Sequence, residues 1–186
     1  MKAITIHQPY ASLIAVEAKK FETRGWATNH RGPMAIHAGA KSFQRFMRES
    51  FPYLVNGWSY HHNYAAGLAF LEQLAAVYYD TPFIKTNPMS FVRRLEPLLP
   101  RGAVIATADL VECHSIHRDP KTHRIRLSGS RGMQGGVSMC SPEAFFGDYT
   151  PGRFAWEWAN VKPLSQPAPC RGQQGLWNWE PPSGTL

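Results

Sequence analysis

Extended segments stand at both ends of this chain, with a block of helical periodicity between them. "KAITI" (2–6), "FETRGW" (21–26) and "PMAIHA" (33–38) read as strands near the start. "AVIATADLVEC" (103–113), "RFAWEWANV" (153–161) and "QGLWNW" (174–179) read as strands near the end, the last two joined by a Pro-rich turn. A sheet built from both sets must pair opposite ends of the chain, and its short strands favour a small, strongly curved sheet. "HQPYASLIAVEAKK" (7–20) reads as a helix, with Pro9 in its first turn and Tyr10, Leu13 and Ile14 as a core-facing stripe. Between the strand sets, "KSFQRFMRESF" (41–51) and "GLAFLEQLAAVYY" (67–79) carry helical periodicity, and "EPLLPRG" (96–102) ends the block. The expectation is one α+β domain over residues 1–186, with a helical insertion at about 41–100.

Charge narrows the function. The net charge of +7 is uneven. Residues 1–50 hold eight Lys/Arg against three Glu, and residues 114–135 hold five Lys/Arg against one Asp. Two basic segments on a nearly neutral body fit a polyanion-facing surface, because clustered cations release condensed counterions from phosphates. The segment 114–135 is also rich in glycine, so it is expected as a basic mobile loop. No apolar run reaches the roughly 20 residues of a membrane span, and the start, broken by His7, Gln8 and Pro9, does not read as a signal peptide. Cys113, Cys140 and Cys170 are odd in number and widely spaced, which suits a reducing cytoplasm. Cys113, His114, His117 and His123 lack a second ligand pair at structural-zinc spacing, so no metal and no cofactor is expected.

The stretch "AKKFETRGWATNHRG" (18–32) concentrates the candidate ligands. In a strand, Lys20, Glu22 and Arg24 share one face, and Phe21 and Thr23 share the other. Arg24 offers a planar fork for phosphate or for Glu22, Trp26 a stacking surface, and His30 and Arg31 a loop able to close over a ligand. Arg131 adds a cation from the second basic segment, and Gln8 and Ser12 are candidate cleft-lining residues.

Residues 4–38 resemble the N-terminal signature of the ASCH domain family, in which Q-P-[WY]-A opens a helix and G-x-K-x-x-E-x-R follows. Gln8, Pro9, Tyr10 and Ala11 match the helix, and Lys19, Glu22 and Arg24 match the later motif. "RGAVIATADLVEC", "FAWEWANVKPL" and "RGQQGLWNW" resemble the family's later strands. The chain departs at Glu17, which stands where the pattern has glycine. The resemblance implies a small PUA-like β-barrel flanked by helices, with a basic cleft around the Lys-x-x-Glu-x-Arg segment that binds RNA, DNA or a nucleotide. The expected contacts are Lys19, Lys20, Glu22, Arg24, Trp26, His30, Arg31 and Arg131. Two alternatives stay open. One is an RNA-processing enzyme, a ribonuclease or modified-nucleoside amidohydrolase, with Lys19 and Glu22 as candidate catalytic groups. The amidohydrolase branch is disfavoured because Glu22 stands where its threonine nucleophile belongs, and Thr23 points to the opposite strand face. The other is a protein-interaction module using the aromatic stretch around Phe51–Phe83.

Overall fold

A computed structural model describes residues 1–56, 62–79, 87–130, 132–134, 138 and 141–184. The chain opens with β1 (Lys2–Ile6), α1 (Tyr10–Ala15), β2 (Phe21–Arg24) and β3 (Gly32–Ala38). It crosses a helical block of α2 (Phe43–Ser50), α3 (Pro52–Val55), α4 (His62–Tyr78), α5 (Pro88–Leu95) and a 3-10 turn (Glu96–Leu98). Then follow β4 (Ala103–Arg118), β5 (Ile125–Gly129), β6 (Gly132–Gln134), α6 (Pro142–Phe145), β7 (Phe154–Pro169) and β8 (Leu176–Asn178). The main path of the sheet runs β2-β7-β4-β3-β1-β8, with β5 on the far part of β4 and β6 on β5. Only β1 and β3 run parallel among these described pairs. The result is an α+β fold with a curled half-barrel, in which strands from both ends of the chain interleave.

Strands from both ends of the chain share one core. Ile4, Ile6, Met34, Ile36, Trp156 and Trp158 all point inward and form one core with Ile14 of α1. The helical block has its own cluster, built on Phe43, Met47, Leu71, Leu74 and Val92, and Leu13 and Phe146 from outside the block join it. Tyr10 packs against both clusters, so α1 is the plank between half-barrel and helices. Of the aromatic stretch around Phe51–Phe83, Phe51 and Phe70 pack into this cluster, in ring contact with each other and with Phe46, while Trp58, Tyr60 and Phe83 lie outside the described residues. No described helix is long and apolar enough to cross a membrane.

Three expectations need correction. The segment 114–135 is not a loop throughout: β4 continues to Arg118 and pairs antiparallel with β5. Ile116, Ile125 and Leu127 alternate inward and form a small core with Tyr149 and Ala155, which outweighs the polar residues between them. The Pro-rich stretch before Pro169 is likewise strand, with β7 pairing along β4 through repeated register shifts that accommodate the prolines. The helix expected over 7–20 is six residues long.

That helix stops for a visible reason. Glu17 sits at φ 59°, in the left-handed region, while the Ala18 and Lys19 amides donate back to the Leu13 carbonyl at 2.9 and 3.1 Å. This is a left-handed helix terminus, the backbone that favours glycine, and it is the position where the ASCH pattern carries one. The turn aims Lys19 beneath the sheet. Left-handed backbone costs a non-glycine residue about 1–2 kcal/mol, part of which glycine's looser unfolded chain cancels. Glu17→Gly is therefore expected to raise stability by roughly 0.5–1 kcal/mol. Chemical denaturation would check this, and a loss of stability would contradict the turn.

Candidate functional site

In the sheet order, β2 lies at one edge and β1 lies near the other, and no ladder joins them. Side chains bridge this seam. The Arg24 Nη2 donates to the Thr5 carbonyl of β1 at 2.8 Å, and its Nε lies 3.1 Å from Glu22 Oε1. Glu22 Oε2 lies 3.7 Å from Lys19 Nζ. Lys19 donates to the Phe21 and Phe146 carbonyls, and its ammonium stands over the Tyr10 ring at 5.4 Å. Alongside the seam lies a cleft of about 240 Å³, walled by Thr5, His7, Tyr10, Glu22–Arg24, Phe146–Asp148 and Arg153.

The structure separates the expected site residues. Glu22 and Arg24 share a face, as strand alternation requires, and both line the cleft. Lys19 is only 1% exposed, so its ammonium is a clasp under the cleft rather than a phosphate contact. Burial drives its pKa down, against the pull of Glu22. Lys20 precedes β2 and turns to the other side, where it pairs with Glu157 at 3.1 Å. Trp26 packs edge-on against Trp156 with ring centres 4.7 Å apart. His30 and Arg31 follow on the same loop, and Arg31 pairs with the buried Glu112 carboxylate of β4. None of Trp26, His30 or Arg31 reaches the cleft wall. Gln8 Nε2 donates to Ser12 Oγ at 2.8 Å and to the Pro100 carbonyl at 2.6 Å, fastening α1 to the end of the helical block. Gln8 and Ser12 are therefore anchors and not cleft lining. Arg131 lies outside the described residues.

The cleft contains groups that motif reading missed: His7, Tyr10, Asp148 and Arg153. The polar turn His7–Gln8 between strand and helix was a legible signal, whereas "FGDY" (146–149) carries no pattern that ties it to β2. Arg153 Nε lies 3.3 Å from Asp148 Oδ2, and the Asp148 amide donates to Thr23 Oγ1 at 2.9 Å. Thr23 thus serves the cleft rim. Two arginines and two carboxylates leave the cleft close to charge balance. Partial burial, with Lys41 and Arg24 nearby, lowers the pKa of His7, so its ring is neutral at pH 7. Burial and the Glu22 charge hold the Tyr10 phenol far above its ordinary pKa. The cleft accordingly presents neutral donors and acceptors flanked by compensated charges, which favours polar recognition over bulk anion attraction.

A second node fixes the loop beyond β2. Glu112 accepts hydrogen bonds from Arg31, from the amide and hydroxyl of Ser130, and from the Cys113 amide at 2.8 Å. A side chain at Gly129 would strike Glu112 Cγ at 2.7 Å, so the hairpin approaches this carboxylate as closely as its backbone permits. Burial pushes the Glu112 pKa up, but these bonds prevail and hold it at about 2.

Among protein families, the ASCH domain model matches residues 4–168. Comparison with curated proteins gave no match.

Lys19→Ala is expected to cost about 3–5 kcal/mol, because it leaves two buried carbonyls without a donor and Glu22 with Arg24 alone. Thermal unfolding would show this, and a fully stable variant would refute the clasp. Glu112 gives a pH signature. Its folded pKa of about 2 lies below the ordinary 4.5, so its contribution is complete above pH 4.5 and is lost as pH falls toward 2. Glu112→Gln should flatten the stability profile in that window and weaken the fold near neutrality by about 1–3 kcal/mol. An unaltered acid limb would count against the node.

Proposed function

The chain belongs to the ASCH domain family, generally thought to bind RNA, and from that premise we propose that this protein takes one unpaired RNA base into the seam between β1 and β2. The observation that carries this reading is the pairing of size with polarity in that cleft. Its 240 Å³ falls below the roughly 300–1,000 Å³ of pockets for drug-sized ligands, which suits a single base. Its donors and acceptors are balanced, as base-edge reading needs and phosphate capture does not.

Within this reading, Glu22 and Asp148 accept from an exocyclic amino group, while Arg153 and Tyr10 donate to ring nitrogens or carbonyls. Single strands are favoured over duplex, because only a splayed base can enter so narrow a seam. Turnover is not part of the proposal: Lys19, one of the two candidate catalytic groups, is committed to main-chain carbonyls.

The test is a binding titration with single- and double-stranded RNA and DNA at two salt concentrations. Single-stranded RNA is expected to bind most tightly, with adenine- and cytosine-rich strands ahead of uracil-rich ones. Arg153→Ala removes a half-exposed donor and is expected to weaken binding about tenfold, the worth of one charge-assisted bond. Its melting temperature should stay near that of the wild type. Glu22→Gln should shift base preference more than salt dependence. Absence of binding to single-stranded RNA at low salt would end this reading.

A further inference from the structure

We propose that a second cleft, walled from the first by Gly147 and Asp148, receives the adjacent nucleotide of the same RNA strand, with Arg118 contacting the phosphate there. The proposal rests on the reading of the first cleft as a base site. The second cleft has a volume of about 340 Å³, and Gly147 and Asp148 line both. Ile125, Ala144 and Pro151 give it apolar surface, Arg118 supplies its cationic rim, and His123 lines it beside Arg118. Apolar surface beneath a cationic edge is the arrangement that single-stranded nucleic acid uses, with bases on the surface and backbone along the edge.

The wall between the clefts is thin and fixed. A Cβ at Gly147 would meet Tyr149 Cε2 at 2.9 Å and Thr23 Cγ2 at 3.0 Å, so the two side chains grip the glycine. Tyr149 donates to Glu143 Oε1 at 2.8 Å. Glu143 also accepts from the Lys20 and Phe21 amides at 2.7 and 3.2 Å, tying α6 to the start of β2. Any side chain at Gly147 would displace Tyr149 or Thr23, so the ridge keeps its close packing only with glycine there.

Charge placement agrees. Most cations near the first cleft and the β2 loop face a carboxylate: Arg24 faces Glu22, Arg153 faces Asp148, Lys20 faces Glu157 and Arg31 faces Glu112. On the β4–β5 hairpin, Arg126 faces Asp119 at 3.5 Å. Arg118 differs: Nη1 donates to the His123 carbonyl at 3.0 Å, and among the described residues no carboxylate lies within ion-pair distance of its guanidinium. Its remaining donors are available to a phosphate.

Calorimetric titration of the full chain with adenosine monophosphate and with a four-nucleotide adenylate strand tests this. The tetranucleotide is expected to bind at least tenfold more tightly. Arg118→Gln should lose five- to tenfold on the tetranucleotide and nothing on the mononucleotide. Its log–log salt slope should fall by about 0.7, the single-strand value for one phosphate, and Arg118→Lys should restore most of that slope. Amide resonances of Ile125 and Thr150 should move with the tetranucleotide alone. If the tetranucleotide binds but Arg118→Gln matches the wild type in affinity and slope, the second cleft is refuted and the first stands. Equal affinity for both ligands has the same meaning. If neither ligand binds, both readings fall together.

Discussion

The seam between β1 and β2 is closed by side chains instead of by a ladder, and the rest of the arrangement depends on that closure. Phe146, Lys19, Glu22, Arg24 and Thr5 form a continuous polar chain from the loop after α6, through β2, to β1. Backbone hydrogen bonding would have sealed the half-barrel and left no cleft. The clasp holds the edges together while keeping a gap between them, and it satisfies three main-chain carbonyls that burial would otherwise leave costly. The ammonium is itself desolvated, so each partner is needed: removing one strands the others in a low-dielectric interior.

The same logic redistributes the charge. Residues 1–50 carry a strong cationic excess in sequence, yet carboxylates from distant strands neutralise much of it in the fold. Glu112 of β4 meets Arg31, and Glu157 of β7 meets Lys20 and, at 2.8 Å, His114. Linear charge therefore overstates the positive field around the first cleft. Among the described residues, the cations without a carboxylate include Lys121 and Arg124 along with Arg118, all on the β4–β5 hairpin. In the proposed reading, attraction for a polyanion and recognition of a base sit on neighbouring parts of the molecule.

Much of the scaffold was legible because its determinants are local. Short apolar runs marked β1, β3 and β4, alternation marked β7, and Tyr10, Leu13 and Ile14 marked the packing face of α1. The hairpin escaped because Ile116, Ile125 and Leu127 are diluted by charged neighbours, and their burial depends on Tyr149 and Ala155 from elsewhere in the chain. Glu22 and Arg24 were readable as a same-face pair. The burial of Lys19 was not, since it follows from Phe146, whose position no local pattern encodes. Asp148 and Arg153 were invisible for the same reason: α6 and the loop after it bring them to β2.

The spacing Lys-x-x-Glu-x-Arg can now be given a physical reason. Glu22 and Arg24 must be two apart to share a strand face. Lys19 must precede the strand, beyond a left-handed turn, to pass beneath it and reach two carbonyls at once. The clasp accounts for each interval. The motif therefore specifies the gap, while Glu22 and the groups around the motif line what the gap can hold. His7 comes from the turn after β1, and Asp148 and Arg153 from the loop between α6 and β7. None of the three touches the Lys19 ammonium in a hydrogen bond or ion pair. They are free to change without unfastening the seam, so one clasp can be kept while its recognition surface is rewritten.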